Sequence, residues 1–373
     1  MLKRELINIT VKPTSACNMR CNHCYYSDYG YDNVLLDISK FKYVLEIASK
    51  EYKKISLLIH GGEPTLAGYH YFRELFDHQK YLSDSAGCNF TNVIQTNGLL
   101  LNEEMADLFK QYSVGVGVSF DGPHNDYLRS NTSEVYRTLK LLQDKKVRFY
   151  SLCVETKETI ANLIETYEWY KKEGLNYKIL CFIDYNRNNS IYNVTPEEYV
   201  KNMINLYKYW IADKECNISV STLEGFANVR LGDKLSQVSK TCVGNRISVN
   251  ADGSIYPCGR PYDRTYEVTY VDELKMISDC FAKPGYIALL DLLEKRKSKC
   301  KKECKYFSIC NGGCISNAIL DGSNDNLWGD SCKKSYMLFE EILKINNEFV
   351  LQLNGNNYTS LNPRFLKTFK YRL

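Results

Sequence analysis

From its first residues to about residue 190 the chain repeats one pattern. A short run rich in β-branched and aromatic residues is followed by a longer stretch with apolar side chains at three- and four-residue spacing. This is the alternation of β/α units around a parallel sheet, where a crossover helix joins each strand to the next. Strands are expected at Ile7–Val11, Ser56–His60, Asn92–Gln95, Val114–Ser119, Arg148–Val154 and Lys178–Ile183. Helices are expected over Asp37–Lys50, Tyr71–Leu82, Glu103–Gln111, Ser133–Lys145 and Thr159–Glu173. Six such units predict an α/β fold, a partial (β/α)6 TIM barrel over residues 1–190. Loops after the strand C-termini build the active face of such barrels. Here they carry a cysteine triplet, then Gly61-Gly62-Glu63-Pro64, Thr96-Asn97-Gly98 and Asp121-Gly122-Pro123.

Beyond the barrel, residues 191–239 read as a helical bridge, with YVKNMINLYKYWIADK its clearest segment. Residues 240–335 are dominated by glycine, cysteine and turn residues, and VNADGSIYPC predicts a hairpin turning at Asp252-Gly253. This is a second, cysteine-supported domain. A helix near Lys334–Leu351 and a polar tail that carries little information complete residues 336–373.

The chain has 15 cysteines, many for a compartment in which thiols stay reduced. Metal binding is the natural use of so many. No secretory signal is recognisable in MLKRELINITVKPTSACN, and no apolar run is long enough to span a bilayer, so a cytoplasmic location with no membrane partner is expected. A formal net charge of +4 from 48 basic and 44 acidic side chains does not suggest nucleic acid. The one dense basic run, Lys295 to Lys305, is read as a solvated stretch flanking a metal loop. Cys88, Cys153, Cys181, Cys216 and Cys280 stand alone and are read as small buried hydrophobes.

Cys17, Cys21 and Cys24 have the spacing CX3CX2C, which gathers three thiolates from one loop. Three thiolates can hold three corners of a 4Fe-4S cube and leave the fourth iron open. Alone, the triplet also fits a loose zinc or ferredoxin-like site, whereas structural zinc favours four ligands. Its place after the first strand, with GGEP after the second, favours the cluster.

Together CX3CX2C, GGEP and the β/α order resemble the radical S-adenosylmethionine (SAM) superfamily. The resemblance implies a 4Fe-4S cluster on Cys17, Cys21 and Cys24, and S-adenosyl-L-methionine bound at the open iron. It further implies that Gly61, Gly62 and Glu63 contact the methionine ammonium, and that Asn97, Ser119 and Arg129 lie along the cofactor. The later cysteines are similar to the SPASM domain, which carries two auxiliary 4Fe-4S clusters. By that resemblance Cys242, Cys258 and Cys314 hold one cluster, and Cys300, Cys304, Cys310 and Cys332 the other. Two departures stand out: three residues rather than two separate Cys300 from Cys304, and no fourth cysteine for the first auxiliary cluster lies close upstream of Cys242.

GGEPTLAG, QTNG, SFDGP and CKYFSICNGGC resemble the anaerobic sulfatase maturases. Those enzymes convert a Cys or Ser of a partner protein to formylglycine, with an Asp after the YPC cysteine as presumed base. Here that position is Gly259, which takes no proton, leaving Asp263 and Tyr262 as weak substitutes for a catalytic base. The expected activity is therefore that of a maturase that abstracts a hydrogen from a ribosomally made peptide and completes an oxidative change such as a crosslink. Formylglycine formation and a non-catalytic iron–sulfur scaffold are the alternatives. The expected partners are a peptide or protein substrate and a flavodoxin- or ferredoxin-like electron donor. A separate peptide-recognition protein joins them if a leader must be bound, since the barrel begins within the first dozen residues.

Overall fold

The structure, a computed structural model, describes residues 3–24, 33–183, 190–229, 243–260, 263–323, 327–353 and 361–370. Its strands are β1 (Arg4–Val11), β2 (Tyr52–Ile59), β3 (Asn89–Thr96), β4 (Gly115–Ser119), β5 (Phe149–Glu155), β6 (Tyr177–Cys181), β7 (Arg246–Val249), β8 (Ser254–Tyr256) and β9 (Thr269–Tyr270). Between the first six lie α1 (Ile38–Glu51), α2 (Gly68–Ala86), α3 (Glu103–Gln111), α4 (Thr132–Asp144) and α5 (Leu163–Glu173). Then come α6 (Pro196–Ala212), α7 (Ser221–Ala227), α8 (Pro284–Glu303), α9 (Asp330–Leu353) and α10 (Pro363–Lys370), with shorter helical turns between them. No helix among the described residues is long and apolar enough to cross a membrane.

The local signals are conventional. Asp37 caps α1 by accepting from Ser39 N, and Phe41, Val44, Leu45 and Ala48 form its buried stripe. Asn102 caps α3, whose first turn holds Glu103 and Glu104 and whose last holds Lys110, matching the helix dipole. Thr195 and Glu198 form a capping box that starts α6, with Pro196 in its first turn.

The chain divides into two compact units. One comprises Met1–Ser119, Asp126–Phe149 and Thr241–Asp291; the other comprises Phe120–Asn125, Tyr150–Lys240 and Leu292–Leu373. In the first, β1 to β4 lie side by side and parallel, in the order β4–β3–β2–β1. Ile7, Ile9, Val11, Ile55, Leu57 and Ile59 are buried along its two central strands, as expected where helices cover a parallel sheet.

The expected hairpin forms between β7 and β8. Gly253 sits at φ +85°, where glycine carries no Cβ penalty, and Asp252 accepts from Ser254 N. Its place in the sheet was not legible. β7 runs parallel to β1, aligning Asn8 with Arg246 and Val11 with Val249, so the hairpin extends the same sheet. A turn signal is local, whereas the partner of a strand is chosen by contacts far apart in sequence.

In the second unit β5 and β6 pair in parallel, aligning Glu155 with Cys181. Tyr207 of α6 donates to Asn346 Oδ1 of α9 at 2.7 Å, and Asn346 donates in turn to Phe226 O and Val229 O. All three side-chain atoms of that relay are hydrogen-bonded, as a buried polar network must be.

Two helices depart from the sequence expectation. Over 284–303, read as turn-rich, the chain forms the 20-residue helix α8. Its Leu, Lys, Arg and Glu are good helix formers, and Tyr286, Leu289, Leu293, Arg296 and Cys300 point inward at three- and four-residue spacing. In the tail, α10 buries Phe365 completely, and Asn362 anchors its start by donating Nδ2 to Trp210 O at 2.7 Å. Phe365 meets Trp210 edge to face, with centroids 6.1 Å apart. We expect Phe365→Ala to lower the unfolding free energy by about 3 kcal/mol or more in urea denaturation, because the ring fills a closed site.

Candidate metal centre

The loop after β1 is held in place by the loop after β2. Gly62 N donates to Thr14 O at 3.0 Å and Glu63 N to Ala16 O at 2.7 Å, immediately before Cys17. A Cβ on Gly62 would lie 2.1 Å from Ala16 O, and one on Gly61 would lie 2.5 Å from Thr14 O. Gly61 also sits at φ +123°. Both glycines are thus required for backbone to approach backbone.

Glu63 is 1% exposed, and both oxygens of its carboxylate accept hydrogen bonds from the protein. Oε1 accepts from Thr65 N, Thr65 Oγ1 and Thr96 Oγ1 at 3.0, 2.5 and 2.7 Å; Oε2 accepts from Asn97 N at 2.6 Å. It therefore ties the loop after β2 to the loop after β3. Burial raises its carboxyl above the usual range, and the surrounding donors oppose that shift.

Cys17, Cys21 and Cys24 are each half-buried on the resulting loop. Met19 N points at Cys17 Sγ from 3.4 Å, Asn97 Nδ2 lies 3.8 Å from the same sulfur, and Arg129 Nη1 lies 4.0 Å from Cys21 Sγ. Asn97 Nδ2 also donates to Asn18 Oδ1 at 2.7 Å, and Asn22 N to Leu128 O at 2.9 Å. Of the residues singled out along the cofactor, Asn97 and Arg129 thus come to the thiols, while Ser119 accepts from Gln95 Nε2 at 2.7 Å at the end of β4. Among the described residues no three His, Cys, Asp or Glu side chains close on a point the size of one ion. The thiolates of an iron–sulfur cube stand farther apart than those around a single zinc.

Beside this loop, His60 and Lys12 are enclosed at the ends of β2 and β1. Burial and the Lys12 charge pull the His60 imidazole down to about 4, and its Nδ1 accepts from Gly61 N at 2.8 Å. Burial likewise pulls the Lys12 ammonium down to about 8, against the opposing effects of Cys258 and Asp252. An unfolded His60 takes its proton near pH 6.5, so its contribution is full above that pH and is lost as pH falls from 6.5 toward 4. The pH dependence between about 7 and 4 should therefore flatten in His60→Asn, by at most about 3 kcal/mol, when urea midpoints of the two chains are compared.

In the second unit five cysteines line one cavity of about 70 Å³: Cys300, Cys304, Cys310, Cys314 and Cys332, together with Arg296. The long spacing between Cys300 and Cys304 has a physical reason. Cys300 closes the buried stripe of α8 and Cys304 N donates to Cys300 O at 2.9 Å, so the two lie one helical turn apart. Asn311, Gly312 and Gly313 all have positive φ, which reverses the chain between Cys310 and Cys314. Burial pushes the Cys310 thiol up to about 12.

Arg296 was not legible as a site residue inside the basic run. It is 6% exposed, and donates Nε to Gly312 O at 2.9 Å and Nη1 to Ser323 O at 2.6 Å. Only its position on the inward stripe of α8 distinguishes it from the neighbouring lysines. Of the isolated cysteines, Cys88, Cys153, Cys216 and Cys280 are buried, whereas Cys181 is partly exposed.

Cys258 lies in the first unit, half-buried after β8. Cys242 and Tyr262 fall outside the described residues. Asp263 is exposed and caps a short turn, accepting from Thr265 N at 2.8 Å. Gly259 packs on Thr10 of β1, so that a Cβ there would lie 2.6 Å from Thr10 Cγ2. Thr10 is itself buried and β-branched, with little freedom to turn away. Gly259→Ala should cost about 1–3 kcal/mol in thermal or urea unfolding, and Thr10→Ser added to it should recover part of that loss.

Residues 11–170 match the Radical SAM superfamily. The chain carries a radical SAM domain. The sequence is 27% identical over 363 residues to a cysteine-type anaerobic sulfatase-maturating enzyme of Clostridium novyi (strain NT), covering 88% of this chain and 94% of that one. It is 24% identical to a serine-type anaerobic sulfatase-maturating enzyme of Klebsiella aerogenes, covering 93% and 88%. Among solved structures, native anSMEcpe with bound AdoMet and Cp18Cys peptide overlays with a TM-score of 0.80 at 25% identity, covering 92% of this chain and all of that one. Streptococcus suis SuiB bound to S-adenosylmethionine shares the fold, with a TM-score of 0.64 at 16% identity. The radical SAM domain sits in an α/β fold dominated by parallel strands, and the chain is an enzyme of radical oxidative modification.

Proposed function

We propose that this radical SAM maturase oxidises a side chain of a peptide or protein substrate, formylglycine formation from Cys or Ser being the favoured chemistry. One observation carries the reading: the likeness to sulfatase-maturating enzymes runs along 88% of this chain and 94% of the relative, well beyond the domain that makes the radical. That moves the preference away from the crosslinking expected from sequence.

The residues present fit the groups the reading needs. Three half-buried thiols on one loop, with an amide and a guanidinium against their sulfurs, suit a cube with one open iron on Cys17, Cys21 and Cys24. When bound, that cluster and S-adenosyl-L-methionine supply abstraction of a substrate hydrogen atom. In this arrangement Glu63 acts mainly through the loops it joins: with its carboxylate engaged by Thr65, Thr96 and Asn97, it fixes where Gly61, Gly62 and Asn97 stand beside the thiols. The backbone carbonyls of the glycine turn remain suited to a methionine ammonium.

The cavity of Cys300, Cys304, Cys310 and Cys332 suits an auxiliary cluster, with the Arg296 guanidinium favouring thiolates. Cys314 lines the same cavity, and its assignment with Cys242 and Cys258 to another auxiliary cluster rests on the resemblance of the sequence to SPASM domains alone. On this reading residues 1–190 make the radical, 240–335 carry the auxiliary clusters, and a flavodoxin- or ferredoxin-like protein supplies electrons.

A second reading, an oxidative crosslink in a ribosomally made peptide, is favoured by Gly259. The position of the presumed base holds no acid, and Thr10 fills the space beside it. The two readings separate by product. Reconstituted enzyme with reductant, S-adenosylmethionine and peptides bearing a central Cys or Ser should yield an aldehyde that a hydrazide captures. Loss of hydrogens without aldehyde establishes the crosslink reading instead, and no deoxyadenosine at all overturns both. Cys304→Ala should lower bound iron by about four atoms per chain.

A further inference from the structure

Beside the cavity that the cysteines line, and sharing Asn317, Trp328, Ser331 and Ser335 with it, the second unit holds a larger one. Its volume is about 690 Å³, and its wall includes Cys181 at the end of β6, Tyr199 of α6, and Trp328, Asp321, Lys334 and Leu338. Lys334 Nζ lies 3.5 Å from Cys181 Sγ and 5.7 Å from the centre of the Tyr199 ring. Among the described residues no carboxylate forms an ion pair with it. Two acids, Asp321 and Asp330, line the same cavity, as does a second lysine, Lys333. Asp321 accepts from Ser323 N and Ser331 N, each at 3.1 Å, and from Ser323 Oγ. Asp330 is exposed in the first turn of α9. Glu155, aligned with Cys181 across β5 and β6, is 1% exposed, and burial pushes its carboxyl up to about 7.

A second observation points to the same wall. Trp328 is 42% exposed although large and apolar, and its backbone stands at φ +83°, the left-handed region that a bulky side chain rarely adopts. Its ring is braced edge to face on Tyr336, with centroids 5.1 Å apart. A strained, braced and exposed tryptophan on the wall that also carries an ammonium without a carboxylate ion pair is the chemistry of a binding surface rather than of a core.

We propose that this cavity binds an acidic side chain of the substrate peptide, its carboxylate paired with the Lys334 ammonium and the adjoining chain lying against Trp328. The inference rests on the peptide-substrate reading above and adds to it a preference for an Asp or Glu near the modified residue. A cation held by a ring face and a thiol keeps its donors directed while leaving its charge available to an anion.

The test uses the full chain and three pools of short synthetic peptides that differ only in a central Glu, Gln or Lys, with retention measured by equilibrium dialysis and mass spectrometry. The Glu pool should be retained about tenfold over the Gln pool. Lys334→Arg should keep the preference and Lys334→Gln should abolish it, with near-ultraviolet circular dichroism showing that both variants are folded. In the unaltered chain the Glu pool should also slow alkylation of Cys181 by N-ethylmaleimide, mapped by tandem mass spectrometry, which locates the site without any variant. Equal retention of Glu and Gln pools overturns the carboxylate site and leaves the peptide reading standing. A Glu preference that survives Lys334→Gln, or Glu peptides that bind without protecting Cys181, also overturns it. Retention of no pool overturns the inference together with the peptide reading.

Discussion

The carboxylate of Glu63 is the joint on which the N-terminal centre depends. Strands β1, β2 and β3 bring three loops to one edge of the sheet, but parallel pairing alone does not fix how those loops stand against one another. Glu63 does, by accepting from the loop after β3 while its own backbone N–H donates to the segment leading into Cys17. Buried without those donors, the same carboxylate would cost several kcal/mol. The positions of the thiols therefore follow from hydrogen bonds two shells away from them.

The same ordering gives the two glycines of the loop after β2 their structural requirement. Gly61 and Gly62 let the segment before Cys17 pass at backbone distance, and a side chain on either would move the thiol loop. The close approach is made by backbone itself: Gly62 N and Glu63 N donate to Thr14 O and Ala16 O, immediately before Cys17.

What the sequence made legible divides along physical lines. The first six strands and five helices follow from periodicity, which each segment carries within itself, and all of them form with small shifts at their ends. The cysteine triplet and GGEP were legible because chemistry constrains their spacing. The parallel pairing of β7 with β1 was not, since its register lies between segments more than two hundred residues apart. Helix α8 was obscured by lysines and cysteines that look like loop composition, although its inward residues keep helical spacing. Arg296 was obscured for the same reason: in a run of like charges, only the helix phase distinguishes the guanidinium turned inward. The widened gap between Cys300 and Cys304, an irregularity as spacing, becomes one helical turn once α8 is known.

Position 259 shows how a departure from a resembling family should be weighed. Read as a letter, glycine states only that no acid is present. In the fold, Gly259 is packed on Thr10, whose side chain occupies the space a Cβ would need, and Thr10 stands on a central strand that cannot yield without disturbing β2 and β7. An acid at position 259 would therefore need a compensating change at Thr10 to make room for its side chain. On the formylglycine reading proposed above, the proton acceptor therefore stands somewhere other than position 259. Asp263, exposed and committed to a turn, offers no better geometry for it than any other surface carboxylate. The likeness to sulfatase-maturating enzymes thus holds for the fold and the radical SAM domain, while at position 259 the packing on Thr10 leaves no room for an acid.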